Sequence, residues 1–184
     1  MELFDIKIKK VFLGPAKAIY DPKFIKLCSL SYPNHPKGCP NVGKKSYCPP
    51  RVKFFPEVYE NQIYIVAVGL DFKAYREMRK SQHPSWTERQ QRNPLYWQGY
   101  LRKKLKDFAK ETLGKMTDKK SVIITNPEAM GVNLTETCRR CGLKLEWPPD
   151  NLVYKMYLIG KEKENLEILA KEEKGRKLQT NKIL

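Results

Sequence analysis

Three cysteines in a segment rich in proline and glycine are the residues of this sequence best suited to chemistry. Ten residues separate Cys28 from Cys39, and eight separate Cys39 from Cys48. The segment 29–50 holds five prolines and two glycines, so no regular helix or strand is expected to persist through it. A long structureless segment in a folded domain usually has a function, and a metal that ties three points together would supply one.

The wide spacing of these cysteines predicts a 4Fe-4S cluster. Structural zinc sites use close cysteine pairs, whereas single cysteines far apart in a loop can wrap a larger object. Gly38 and Gly43 have no side chain to hold the backbone away from inorganic sulfide. Cys39 and Cys48 are each followed by proline, as recurs at iron–sulfur ligands. Three cysteine ligands would leave one iron open, which favours enzyme chemistry with the open iron as a Lewis acid.

Other metals and other ligands stay open at this point. His35 lies between the first two cysteines, so a Cys3His zinc site would make the protein a non-enzymatic nucleic-acid-binding module with a structural metal. Cys138 and Cys141 form a CxxC, which would be a source of a fourth cluster ligand, a redox pair or buried packing residues in a short helix. An electron-transfer or cluster-carrier protein is a further alternative.

The net charge of +16 predicts a polyanionic partner. Basic residues alternate with aromatic ones between positions 75 and 110, and RNA is commonly held by stacking combined with phosphate contacts. Nucleic acid, RNA rather than DNA, is therefore the expected partner, and a merely solvated basic surface is the alternative. If the helix is continuous through Pro94, Arg89, Arg92 and Tyr96 lie on one face of it. The candidate nucleic-acid-binding residues are Arg89, Arg92, Tyr96, Arg102, Lys103 and Lys104.

The cysteine segment resembles the signature of a family of uncharacterised "predicted metal-binding" proteins. That family has a Cys, then Gly/Arg-Cys-Pro-Asn-Tyr-Gly, then Cys-Pro-Pro; here residues 38–43 read Gly-Cys-Pro-Asn-Val-Gly and residues 48–50 read Cys-Pro-Pro. Weaker similarity continues through residues 56–70 and 129–143. Val42 stands where the family usually has Tyr, and residues 121–130 contain no cysteine, so no second cluster is expected. The resemblance implies metal binding and no particular reaction.

Alternating and apolar runs predict the elements that must position this loop. Strands are expected at 2–12, closed by Gly14-Pro15, and at 62–71, 121–125 and 152–159. Helices are expected at 22–27, 73–80, 86–113 and 134–141, with a kink or a break of the third at Asn93-Pro94. Strands separated by helical segments predict an α/β fold of the α+β sandwich type, a central sheet with covering helices and the metal-binding loop. The order of the strands is left open.

The length of 184 residues suits one globular domain, expected over residues 1–170, with a basic, flexible tail over 171–184. No apolar run has the roughly 20 residues of a membrane helix, and the N-terminus lacks the apolar core of a signal peptide. A cytoplasmic protein with no membrane partner is expected, and its oligomeric state is left open. The expected function is non-redox sulfur chemistry on RNA or tRNA, by analogy in ligand count alone with 4Fe-4S enzymes of tRNA thiolation.

Overall fold

The computed structural model describes residues 2–31 and 35–164, and its centre is a four-stranded antiparallel sheet. The strands are β1 (Ile8–Lys17), β2 (Tyr59–Asp71), β3 (Ser121–Ile124) and β4 (Leu152–Glu162), in the order β1-β2-β4-β3. With its covering helices, this sheet confirms the predicted α+β class. The predicted tail over 171–184 lies outside the described residues.

Five α-helices and four 3-10 turns connect and cover the strands. The helices are α1 (Phe55–Val58), α2 (Phe72–Gln82), α3 (Glu88–Gln91), α4 (Gln98–Lys115) and α5 (Leu134–Arg140) among the described residues. The 3-10 turns there are Leu3–Asp5, Pro22–Ser29, Pro94–Tyr96 and Pro127–Met130.

The prediction that β1 closes at Gly14-Pro15 is wrong, because the strand runs on to Lys17. Its pairing with β2 shifts register between Leu13 and Ala16, and Gly14 has a φ of 125°. β1 is one of the two outer strands of the sheet, where a bulge can accommodate a proline that has no N–H to donate. The proline therefore bends the strand without ending it.

The helical stretch predicted over 86–113 is broken at Asn93-Pro94, where the sequence predicts a kink or a break. The chain forms the short α3, then the 3-10 turn Pro94–Tyr96, and only then α4. The Asn93 side chain accepts a hydrogen bond from the Leu95 N–H at 3.0 Å, and Pro94 cannot donate to a preceding turn. Proline and a capping asparagine together interrupt the helix.

The central strand β2 is covered on both faces, because its successive side chains point to opposite sides of the sheet. Val66 and Val68 belong to a buried cluster with Leu101 and Leu105 of α4. The alternate residues belong to a second buried cluster, which contains Leu134 and Cys138 of α5 and Phe55 of α1. The sheet is thus the middle layer, with α4 on one side and α5 with the 3-10 turn Pro127–Met130 on the other.

Candidate metal centre and adjoining cleft

Backbone hydrogen bonds bring the first two cysteines of the loop together. Cys28 lies near the end of the 3-10 turn Pro22–Ser29, and its carbonyl accepts a hydrogen bond from the Cys39 N–H at 2.8 Å. Asp21 caps this turn by accepting from the Lys23 N–H at 3.0 Å, and its own N–H donates to the Gly131 carbonyl at 2.7 Å. The turn that carries Cys28 is therefore anchored to the body of the protein.

The third cysteine is held by a series of turns over residues 41–52. The Cys48 N–H donates to the Lys45 carbonyl at 3.1 Å, and the Cys48 carbonyl accepts from the Val52 N–H at 3.1 Å. The Gly43 N–H donates to the Pro49 carbonyl at 2.8 Å and closes this part of the loop. Tight turns, rather than a helix or strand, position Cys48, as expected from the prolines of the loop.

Gly38 permits the close approach of the two chain segments that carry Cys28 and Cys39. Its φ is 82°, and a Cβ at this position would lie 2.7 Å from the Cys28 carbonyl oxygen and 2.7 Å from the Ser29 carbonyl carbon. Gly43 has a similar φ of 72°, but no atom lies within 4 Å of the corresponding position. Of these two loop glycines, only Gly38 combines the left-handed conformation with a backbone contact that a side chain would prevent.

The three thiols lie close enough for their charges to interact. Burial raises the pKa of the Cys28 thiol, and the charges of Cys39, Cys48 and Glu128 raise it further. Burial and the charge of Cys39 raise the pKa of Cys48, whereas Lys45 lowers it. All three cysteines are free thiols and only partly buried. A bound cation would relieve their mutual repulsion and favour the thiolate forms.

The candidate ligands of this loop do not form a site for a single metal ion among the described residues. Over residues 2–31 and 35–164, no three His, Cys, Asp or Glu side chains converge to hold one metal ion. The partly buried His35 belongs to the same loop, and its carbonyl accepts from the Gly38 N–H at 3.1 Å, next to Cys39. The three sulfurs interact electrostatically without converging around a single ion.

The CxxC pair lies outside this loop, at the C-terminal end of α5. Cys138 is fully buried in α5, where its Sγ contacts the Met156 sulfur at 3.3 Å. Burial raises the pKa of Cys138 to about 12 and also raises that of the partly buried Cys141. The charge of Glu128 acts on both Cys28 and Cys138. Cys138 is thus a core thiol that stays protonated at neutral pH.

A cleft of about 830 Å³ lies beside the cysteine loop, along an edge of β4. β3 pairs with β4 only over residues 158–161, so it leaves the preceding part of that edge uncovered. Residues 152–157, six in succession, line the cleft there. Leu27 and Tyr47, the sequence neighbours of Cys28 and Cys48, line it from the loop side. The chain segments that carry Cys28 and Cys48 therefore adjoin the cleft, although neither cysteine is among its lining residues.

Helix α4 contributes a stripe of three cations to the cleft. Leu101, Leu105 and Ala109 are fully buried at four-residue spacing. The residues that follow them, Arg102, Lys106 and Lys110, form a parallel stripe that lines the cleft. Sequence reasoning identified Arg102 but missed Lys106 and Lys110, although their four-residue spacing was a usable signal.

Lys103 and Lys104, also predicted to bind nucleic acid, are exposed on α4 but do not line the cleft. The Lys104 ammonium instead lies 5.5 Å from the centre of the Tyr100 ring. Neither lysine belongs to the stripe of cations that lines the cleft, because that stripe has a four-residue spacing and a helix turns about 100° per residue. The two lysines lie on the same helix as the stripe, but on a different face.

Lys155 and Glu128 place two opposite charges on the lining of the cleft. Burial and the nearby charge of Arg102 lower the pKa of Lys155, and Glu128 opposes this shift. Burial raises the pKa of Glu128, against a backbone hydrogen bond and the charge of Lys155. Sequence reasoning missed both groups; the only signal was a lysine within an otherwise apolar strand.

The segment 145–149 also lines the cleft, and hydrogen bonds from Glu146 fix the residues that follow it. Glu146 accepts hydrogen bonds from the N–H groups of Asp150 at 2.9 Å and Asn151 at 2.8 Å. These backbone bonds lower the pKa of Glu146 to about 2. Trp147, next in sequence, lines the cleft with 73% of its surface exposed.

Replacing Glu146 by glutamine should lower the urea midpoint of unfolding at pH 7, because the amide accepts the same N–H bonds without the charge. A depressed carboxyl pKa contributes stability above its ordinary value of 4.5, and this is lost as the pH falls towards about 2. The difference between wild type and variant should therefore shrink between pH 5 and pH 2. The exposed Glu77→Gln is the control, and equal midpoints for E146Q and wild type at pH 7 would contradict the role assigned to Glu146.

Arg92 is engaged within the protein and does not line the cleft. Its guanidinium pairs with Glu88 at 3.0 Å and with Asp150, and it donates to the Pro149 carbonyl at 2.7 Å. Arg92 thus ties α3 to the segment that follows Trp147.

The remaining predicted residues of this region, Arg89 and Tyr96, also lie outside the cleft lining. Tyr96 stacks on Trp86 with 5.1 Å between ring centres, and the Arg79 guanidinium lies 5.2 Å from the Tyr96 ring. Arg89 is exposed on α3. Because the helix breaks at Pro94, the structure does not place Arg89, Arg92 and Tyr96 on one continuous helical face with the basic stripe.

No helix in the described part of the chain is long and apolar enough to cross a membrane. Comparison with known proteins returns no matching family model, no matching curated protein and no matching solved structure.

Proposed function

We propose that Cys28, Cys39 and Cys48 hold a 4Fe-4S cluster with one iron open to substrate, and that the protein acts on RNA, tRNA included, in non-redox sulfur chemistry. The observation that carries this proposal is that three interacting thiols belong to a loop whose Leu27, Asn41 and Tyr47 line a cleft with a cationic wall. A thiolate set beside a substrate-sized cleft suits a reactive metal centre better than a buried structural one.

The spacing of the cysteines supports a cluster in preference to a closed zinc site. Structural zinc sites use close cysteine pairs, whereas ten and eight residues separate the three cysteines here. In a cluster each cysteine binds a different iron, so the thiols stand further apart with inorganic sulfide between them. The motif resemblance of the loop also supports metal binding. A Cys3His zinc site that includes His35 is the alternative outcome.

When bound, the cluster would supply a Lewis-acidic iron able to take a substrate sulfur as its fourth ligand. The chain itself supplies the binding and orienting groups. Arg102, Lys106 and Lys110 offer charge to an anionic backbone. Glu128 and Lys155, also on the cleft lining, can accept and donate hydrogen bonds to the part of the substrate nearest the thiols.

Anaerobic purification with iron, zinc and acid-labile sulfide analysis tests the metal centre. We expect iron with sulfide and a broad absorption band near about 400 nm from thiolate-to-iron charge transfer, lost in Cys39→Ala. Cys141→Ala removes another partly exposed thiol outside the loop and should keep the band. One zinc and a colourless protein would replace the cluster proposal with the structural zinc site.

A further inference from the structure

We infer that the cleft binds single-stranded RNA, with its phosphates along Arg102, Lys106 and Lys110 and a base stacked on Trp147. This inference deepens the proposed function and rests on it for the chemistry, but the binding mode stands on the cleft alone. It specifies an unpaired segment as the substrate class. It also assigns binding roles to Lys106, Lys110 and Trp147, which the sequence did not single out.

The size of the cleft favours a flexible strand. Its volume of about 830 Å³ lies within the range of ordinary ligand pockets, roughly 300–1,000 Å³, so it has room for individual nucleotides. Sequence-specific RNA recognition usually targets single-stranded loops and ends, whose bases can leave the stack and enter such a site. A strand that enters this cleft comes beside the residues that flank Cys28 and Cys48.

The charge of the cleft is complementary to a phosphate backbone along one wall. Residues four apart on a helix rise about 6 Å, so the stripe on α4 repeats at a distance close to that between neighbouring phosphates of an extended strand. Arg102, Lys106 and Lys110 are all exposed on the helix surface, where phosphates can reach them. None of the three is paired with a carboxylate in the ion pairs of the described residues.

Aromatic side chains stand on the two walls adjoining this cationic one. Trp147 is 73% exposed on the segment 145–149, and Tyr47 is 51% exposed on the cysteine loop. Exposed aromatic rings beside a basic groove are the arrangement by which proteins hold unpaired bases, because every base has a face that can stack. Both rings are available to solvent, unlike Trp97, which packs in the core.

The lining near Glu128 favours RNA over DNA. A carboxyl group there repels phosphate but can accept a hydrogen bond from a ribose 2′-hydroxyl, the group that distinguishes RNA. An acidic peptide added as a strand to the uncovered edge of β4 is the competing occupant. Such a peptide would use the backbone of β4 and would gain nothing from an exposed Trp147.

Two lysine pairs on α4 provide a matched test. Lys106→Gln/Lys110→Gln removes two cleft charges, and Lys103→Gln/Lys104→Gln removes the same number from outside the cleft. Fluorescence anisotropy with a labelled oligouridine of about ten nucleotides should show at least about ten-fold weaker binding for the first variant only. For this variant, the slope of log binding constant against log salt concentration should be smaller in magnitude by about 1.4, since each phosphate contact to a single strand contributes about 0.7. Equal losses in both variants would overturn the inference.

Trp147 provides a second, uncharged test. Trp147→Leu should weaken oligouridine binding by about 5- to 100-fold, the usual range for one stacked base, and Trp147→Tyr should retain most of it. Duplex RNA and the matching DNA oligonucleotide should bind more weakly than the single-stranded RNA. Unchanged affinity in W147L, equal binding of duplex, equal binding of DNA, or displacement of RNA by polyglutamate at equal charge would each overturn the assignment to single-stranded RNA.

Metal analysis of the same preparations separates this inference from the proposed function. Protein that contains iron and sulfide but shows no difference between the lysine pairs would overturn the binding mode and leave the cluster standing. Protein that binds oligouridine through the cleft but contains zinc or no metal would support the binding mode and overturn the proposed chemistry.

Discussion

Gly38→Ala should abolish cluster binding, whereas Gly43→Ala should retain most of it. Both glycines have left-handed φ angles, so both substitutions carry a conformational cost of roughly 1–2 kcal/mol. Only at position 38 would the new methyl group also lie 2.7 Å from backbone atoms of Cys28 and Ser29. That contact can be relieved only by separating the chain segments that carry Cys28 and Cys39, which moves two of the three thiols apart.

The measurement is iron and acid-labile sulfide per protein after anaerobic reconstitution of each variant. Far-ultraviolet circular dichroism checks that both variants keep the sheet and helices, as expected because Gly38 belongs to the loop and to neither buried cluster. Gly43→Ala controls for the φ cost, since its Cβ would meet open space. Equal iron content in the two variants would show that the approach of Cys28 to Cys39 is irrelevant to metal binding.

The cysteine loop illustrates what the sequence alone can predict. Prolines and glycines exclude regular structure, and the loop places Cys28, Cys39 and Cys48 within electrostatic reach of one another through local turns. Local rules cannot supply Glu128, whose charge acts on Cys28 from a 3-10 turn about 100 residues away in sequence. A contact of that kind depends on how the sheet assembles.

The cleft could not be predicted, because it depends on strand order. Its edge of β4 is open because β3 is next to β4 and ends at Ile124. The apolar run predicts the short strand at 121–125 but not its place beside β4. The cationic wall depends on where α4 begins. A helix continuous through Pro94 places Arg89, Arg92 and Tyr96 on one face, whereas the broken chain assigns Arg92 to an ion pair with Glu88 and Asp150.

The effect of two prolines on their strand and helix depends on the local hydrogen bonding. Gly14-Pro15 reads as a terminator, but a proline on an outer strand costs no ladder hydrogen bond on its solvent side, so β1 continues through a bulge. Pro94 predicts a kink or a break, and the helix is broken because the Asn93 side chain stabilises a turn there. Whether proline bends or ends an element depends on the partners of the neighbouring backbone groups.

Leu105→Ala should lower the free energy of unfolding by about 2–5 kcal/mol, because it removes a fully buried side chain and leaves a cavity between α4 and the sheet. Leu95→Ala makes the same chemical change at a side chain that is 60% exposed, and should stay within about 0.5 kcal/mol of wild type. Urea unfolding followed by circular dichroism measures both, with the slope checked for two-state behaviour.

The consequence for function follows from the geometry of α4. Leu105 and Lys106 are adjacent, so the residue that fixes the helix to the sheet also fixes the basic stripe along the cleft. RNA affinity of L105A, corrected for its folded fraction, should therefore fall, because a cavity beneath the helix loosens the spacing of the three cations. The corrected affinity of L95A should stay at the wild-type value. If L105A retains full affinity per folded molecule, α4 contributes charge to the cleft without positioning it, and the aromatic walls must orient the strand.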